Sequence, residues 1–203
     1  MHPDPTYRWD DRAQLRAFVA AHPFGTLFAQ TPDGPAVAHV PVVWLDEARI
    51  GFHLSRGNRM AAHLAGGRAL FVVTGAHGYV SPDWYGLPDQ VPTWNYVAAE
   101  LEGDVEALPA ADLPALIDAL SAASEARLAP KPVWTRDKMT PGLFERMLGA
   151  ITGYALHVTH WRGTAKLGQN KPAAVRLTAA QGMEDAGDSA VAALMRATVE
   201  GVA

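Results

Sequence analysis

Three stretches of this 203-residue chain concentrate side chains that can do chemistry. The first is Ser55-Arg56-Gly57-Asn58-Arg59, following Phe52-His53-Leu54. It falls where a strand over 50–54 gives way to a short helix predicted over 58–64. A helix N-terminus presents unpaired N–H groups and a partial positive charge. Arg56 can add a two-pronged contact to phosphate, and Gly57 lets backbone approach an anion closely. The same residue types also serve as plain helix caps beside a solvated arginine. The second stretch is His77-Gly78-Tyr79-Val80-Ser81-Pro82-Asp83-Trp84-Tyr85 with Val91-Pro92-Thr93-Trp94-Asn95-Tyr96. Aromatic rings with polar tips suit a flat ligand with hydrogen-bonding edges; they equally suit a loop that packs its own rings. The third is Lys166-Leu167-Gly168-Gln169-Asn170-Lys171-Pro172. Two lysines flanking an amide pair can meet phosphate or carbonyl oxygens, or lie in an ordinary surface loop.

The elements that would position these residues read mostly as strands. A helix is predicted over 11–21, closed by His22-Pro23 because proline disfavours helix in the residue before it. Strands over 24–30 and 35–44 flank Thr31-Pro32-Asp33-Gly34, a strong turn signal. An apolar β-branched run over 69–74 reads as a buried strand, 77–92 as a long loop, and 93–107 as a long strand with a bulge at Gly103. A helix over 112–128 carries Leu113, Leu116, Ile117 and Leu120 on one stripe. Thr140-Pro141 is predicted to start another. A final strand covers 153–161, and one helix is expected beyond Asp185. Five or six strands with inserted helices predict an antiparallel barrel with helical additions. No strand–Gly-rich turn–helix unit of dinucleotide-binding type is present.

Composition narrows the function classes. There is no cysteine, which removes disulfides, thiolate catalysis and cysteine metal sites. The net charge of -4 is scattered, whereas duplex binding normally shows as a basic face. No run of about 18 apolar residues occurs, and residues 1–11 are polar, unlike a signal peptide; the chain is read as cytoplasmic, without membrane contact. His157 and His160, three apart on a strand, point to opposite faces, so no metal site is expected. No Gly-x-Ser-x-Gly element appears.

The blocks Ala76-His77-Gly78-Tyr79-Val80-Ser81-Pro82-Asp83-Trp84-Tyr85, Val91-Pro92-Thr93-Trp94-Asn95-Tyr96 and Lys166-Leu167-Gly168-Gln169-Asn170-Lys171-Pro172 resemble those of the PaiB-like FMN-binding transcriptional regulators. His22-Pro23-Phe24-Gly25-Thr26-Leu27 and His39-Val40-Pro41 extend the likeness in the same order over residues 7–175. The resemblance implies a mainly β chain with added helices, an antiparallel split β-barrel of FMN-binding type related to pyridoxamine-phosphate oxidase. It places the barrel at 1–175 and a packed C-terminal helical tail at 176–203. It implies a homodimer with FMN at its interface. Ser55 and Arg56 would hold the phosphate, with Asn58 and Arg59 nearby. Trp94 and Asn95 would approach the flavin or its ribityl chain. Lys166, Gln169 and Asn170 would complete the site from the same or the other subunit, and His39 and His53 would line it. No residue is assigned a catalytic role. The function implied is a negative transcriptional regulator or flavin-linked sensor, with DNA contacted only if a dimer assembles a basic surface. The alternatives are an FMN-dependent oxidoreductase acting on a small molecule, a haem-binding split barrel, and a dimeric protein–protein module. The chain departs from the family pattern at Gly168 and Gly78, where the family carries Ser and Ala.

Overall fold

Local turn chemistry starts the sheet. Thr31 Oγ1 donates to the Gly34 carbonyl at 2.7 Å, and Gly34 takes φ +107°, a region that suits glycine. This turn joins β2 (Phe24–Thr31) to β3 (Gly34–Pro41), antiparallel from Phe24↔Pro41 to Thr31↔Gly34. The computed structural model describes residues 2–200. Among these it contains eight strands and six α-helices. The remaining strands are β1 (Arg8–Trp9), β4 (Val43–Trp44), β5 (Arg49–Ser55), β6 (Arg68–Val80), β7 (Thr93–Ala107) and β8 (Ile151–Lys166). They hydrogen-bond in the order β3-β2-β6-β7-β8-β5-β4, with β1 on β8. The helices are α1 (Arg12–Ala21), α2 (Ala61–Leu64), α3 (Leu113–Glu125), α4 (Leu143–Leu148), α5 (Ala173–Asp185) and α6 (Ser189–Glu200).

The chain forms two compact units. One draws its described residues from Met1–Arg16, Thr74–Ala99 and Arg162–Ala203; the other is Ala17–Val73 with Glu100–Trp161. In the second unit, Leu27, Ile50, Phe52, Phe71, Leu101, Tyr154 and Leu156 are fully buried. Each such side chain contributes about 1.5–3 kcal/mol of apolar burial. On the same unit Leu113, Leu116 and Leu120 of α3 form a satellite cluster against Val43, Leu45 and Ile151. In the first unit the buried residues include Leu15, Val80, Tyr85, Leu167, Met183 and Met195.

Several elements run differently from the sequence reading. β6 continues to Val80, so His77–Val80 is strand rather than loop. The glycines that suggested a loop are spaces for neighbours: a Cβ on Gly78 would lie 2.6 Å from Met183 Cε and 2.8 Å from Asp188 Oδ2. β8 likewise runs on to Lys166, because Gly163 admits the β1 backbone, whose Trp9 carbonyl would sit 2.5 Å from an added Cβ. β7 is unbroken at Gly103, where the main chain of β8 comes close instead of a bulge. α4 starts at Leu143 after Gly142 at φ +74°; Thr140 is therefore not its cap, and its carbonyl accepts from Leu143 N in the preceding turn. The helix expected beyond Asp185 is α6, and a second helix that the sequence reading did not contain, α5, precedes it. α5 was missed because its small residues keep no apolar stripe; Gly182 lets the Trp84 ring approach to 2.5 Å of a would-be Cβ. The last three residues of the expected tail, 201–203, lie outside the described residues.

Candidate functional site

In the second unit, β5 delivers Ser55 to the surface and the chain turns through Arg56–Arg59. The helix that follows is four residues long and begins at Ala61, not at residue 58. Its approach is held by local bonds. Arg56 N donates to Ala150 O at 2.9 Å and Asn58 N to Ser55 O at 2.9 Å. Gly57 N donates to Ser55 Oγ at 3.3 Å, and Met60 N to Asn58 Oδ1 at 2.9 Å. These amides are already committed, so the expected helix-terminus donors are not what the turn offers. Its charge comes from side chains. Arg56 Nε donates to Ile151 O at 3.2 Å, and Arg59 Nη2 donates to Pro35 O at 3.2 Å. Each guanidinium is tethered by a neutral carbonyl, and among the described residues neither meets a carboxylate. Ser55, Arg56, Gly57 and Arg59 are exposed. An added Cβ on Gly57 would find nothing closer than Ser55 Oγ at 3.8 Å. The turn thus presents two cations, a hydroxyl and open space, a donor set suited to a phosphate dianion.

A residue the sequence reading missed braces this turn. Tyr154 on β8 is buried, stacks on Phe52 with ring centroids 5.6 Å apart, and donates to Ala61 O at 2.8 Å. A tyrosine on an alternating strand carries no local sign of such a distant partner.

The two candidate histidines differ. His39 on β3 is exposed; its Nδ1 lies 3.2 Å from Thr26 Oγ1, and its ring lies 6.5 Å from that of Phe24. Phe24, Phe28 and Val37 are exposed on the same hairpin face at 65%, 41% and 44%. His53 on β5 is half-buried, and its buried Nδ1 has no partner. Burial holds its pKa below the ordinary 6.5. The unfolded chain therefore binds the extra proton first as pH falls below about 6.5. The stability contributed by neutral His53 is present above that pH and is lost from there down to the lowered folded value. His53→Gln is expected to flatten the fall in Tm between pH 7.5 and 5; a slope equal to the parent's would refute this role.

The first unit holds the remaining candidates. Trp94 is half exposed and donates from Nε1 to His77 Nδ1 at 3.3 Å. The His77 ring stacks at 5.9 Å and Tyr79 meets it edge-on at 6.3 Å, giving an open ring platform. Asn95, the next residue, faces the other side of β7 and is fully buried. Its Nδ2 donates to Met195 Sδ at 3.3 Å, and its Oδ1 has no partner. Gln169 is spent on its own loop: Nε2 donates to Ala165 O at 2.6 Å and Oε1 accepts from Leu167 N at 2.8 Å. Lys166 Nζ donates to Thr93 Oγ1 at 2.5 Å, and burial lowers its pKa. Asn95, Lys166 and Asn170 line one cavity of about 280 Å³. Gly168 beside them has φ +84°, so a serine at that position would be strained. The structure thus groups Ser55, Arg56, Asn58 and Arg59 on one turn, and Asn95, Lys166 and Asn170 on one cavity. It sets Trp94 apart on the opposite strand face and turns Gln169 inward.

The antiparallel sheet in this order, with its added helices, has the fold of a split barrel. The family described as "Putative FMN-binding domain" matches residues 1–160, and the chain belongs to that family. The cofactor that membership brings is FMN, and the donor set of the turn after β5 fits its phosphate. The chain is 29% identical over 158 residues to "Protease synthase and sporulation protein PAI 2" of Bacillus subtilis (strain 168), covering 76% of this chain and 75% of that protein. Among solved structures it resembles the FAD and heme binding protein from Mycobacterium smegmatis. There the TM-score is 0.59 at 21% identity, over 80% of this chain and 74% of the other. It also resembles the flavocytochrome Anf3 from Azotobacter vinelandii, with a TM-score of 0.58 at 18% identity over 83% and 73%. Among the described residues, no helix is long and apolar enough to cross a membrane.

Proposed function

We propose that the chain works as a cytoplasmic homodimer that binds FMN and serves as a regulator or flavin-linked sensor of PaiB type. The carrying observation is the pair of guanidinium groups, Arg56 and Arg59, each tethered among the described residues by a backbone carbonyl and by no carboxylate, beside the Ser55 hydroxyl. In this reading Ser55 and Arg56 hold the phosphate, with Asn58 and Arg59 beside them. In the same reading Trp94 approaches the flavin from the same or the other subunit and His39 and His53 line it, whereas Gln169, bonded at both ends within its own loop, is left out. Residues 1–175 are the flavin-binding body and the helical tail packs on it. The apolar face carrying Phe24, Phe28 and Val37 is the kind of surface a second copy would cover. The likeness to PAI 2 supports the regulator role. Direct contact with DNA requires the dimer to gather cations that one chain of net charge -4 leaves scattered.

Bound FMN supplies electron or hydride transfer; the chain's own residues bind it, orient it and shield it. The open ring platform of His77, Tyr79 and Trp94 favours a second reading, in which a small molecule is oxidised or reduced over the flavin. The test is a visible spectrum with mass analysis of the protein as purified and after FMN titration. One FMN per chain is expected, with flavin bands shifted from free FMN. A protein that stays colourless after titration would sink the proposal. Rapid bleaching by NADH or NADPH, with turnover on an acceptor, would move the assignment to the second reading.

A further inference from the structure

The cavity in the first unit has a composition that a flavin ring does not account for. Its volume, about 280 Å³, lies just under the usual range for drug-sized ligands, and is too small to enclose a whole flavin nucleotide. Lys166 and Lys171 both stand on its wall. Their ammonium groups donate to neutral oxygens, Lys166 to Thr93 Oγ1 at 2.5 Å and Lys171 to Gln90 Oε1. Lys171 also lies 5.1 Å from the centroid of the Tyr85 ring. The carboxylate on the wall, Asp4, is half-buried and already accepts from Thr6 N at 2.9 Å. Tyr7 and Tyr85 also line the space; burial raises both their pKa values, so both remain O–H donors. Against these donors stands one unmet acceptor. Asn95 is fully buried and its Oδ1 has no partner, a state that costs about 1–3 kcal/mol unless something donates to it.

Among the described residues neither ammonium group meets a carboxylate, which calls for an anion, and an orphaned buried acceptor calls for a donor on the same small molecule. We propose that this cavity binds a compact organic carboxylate bearing a hydroxyl or amino group, with Lys166 and Lys171 facing the carboxylate and Asn95 reading the donor. The proposal deepens the flavin reading and rests on it for the role of this molecule, a substrate or effector bound alongside FMN. Lys171 and Tyr85 belong to this cavity and not to the proposed FMN set.

The test is calorimetric titration of the full chain, with and without saturating FMN, using L-malate and L-serine, then succinate and inorganic phosphate. L-malate or L-serine is expected to bind, and succinate, which lacks the hydroxyl, to bind L-malate's site at least about fivefold more weakly. Lys171→Gln is expected to weaken binding about tenfold or more, the loss of one charged hydrogen bond, while FMN affinity stays within about twofold. If that variant does not fold, Tyr85→Phe, which removes one hydroxyl, is expected to weaken binding several-fold. Absence of binding by both hydroxy- and amino-carboxylate overturns the proposal. So does equal binding of phosphate, or displacement of the carboxylate by FMN, which would make the cavity part of the flavin's own site. Carboxylate binding in a chain that fails to take up FMN would leave this site standing and remove the flavin reading.

Discussion

Arg56→Glu is expected to reduce FMN affinity by at least two orders of magnitude, and Arg56→Ala by about 10- to 100-fold. A charge-assisted hydrogen bond contributes about 1.5–3 kcal/mol, and each 1.4 kcal/mol is a factor of ten in Kd. Arginine can make two such bonds to one phosphate. The glutamate variant adds repulsion to that loss. Arg56→Lys should recover part of the affinity, because lysine keeps the charge but not the fork. The measurement is FMN titration followed by quenching of flavin fluorescence. Folding should be unaffected, since the guanidinium's bond to the fold, Nε to Ile151 O at 3.2 Å, is exposed. Tm should move by no more than a few degrees. An Arg56→Ala protein that binds FMN as the parent does would show that the turn after β5 does not hold the phosphate.

Gly103→Ala is expected to cost more than about 4 kcal/mol, at the severe end for one substitution. An added Cβ would lie 1.8 Å from the His157 carbonyl oxygen, 2.7 Å from its carbon and 3.1 Å from Val158 Cα. All three atoms are main chain. No side chain can rotate away to relieve the overlap, so β7 and β8 must separate locally. Domains of this size are stable by about 5–15 kcal/mol in total, so one methyl group should bring the protein close to unfolding at 37 °C. Thermal or urea unfolding measures this directly. Gly57→Ala is the control, since its nearest neighbour would be Ser55 Oγ at 3.8 Å. A Gly103→Ala protein melting within a few degrees of the parent would mean that the two strands are not packed this closely.

The contrast between Gly103 and Gly34 shows where sequence reasoning succeeds. Gly34 announces itself through its neighbours, Thr31-Pro32-Asp33, because a turn is a property of four consecutive residues. Gly103 sits within a regular alternation, and the backbone that crowds it comes from 54 residues further on (157 − 103). Gln169 and Asn95 make the same point for the site. Both are amides in suggestive motifs. Only the folded chain shows that Gln169 uses both ends of its side chain on its own loop, while Asn95 retains a buried acceptor with nothing to accept. The Ser55–Arg59 turn was legible as a cluster of anion-binding residue types. That the amides of Arg56, Gly57 and Asn58 are already bonded, leaving the two guanidinium groups as the turn's charge, was not legible.

From the order of residues alone came the hairpin at residues 31–34, the long strand β7 with both its ends, the helix stripe of Leu113, Leu116 and Leu120, and the linked blocks that mark the FMN-binding family. Each is encoded within a few turns or strand lengths of chain, where periodicity and φ preference act. The tertiary structure decided the extension of β6 and β8 through their glycines, the existence of α5, the bracing of α2 by Tyr154, and which polar atoms stay unpaired. Those outcomes depend on which distant backbone or side chain arrives as a partner, and burial and hydrogen-bond satisfaction are settled only when it does.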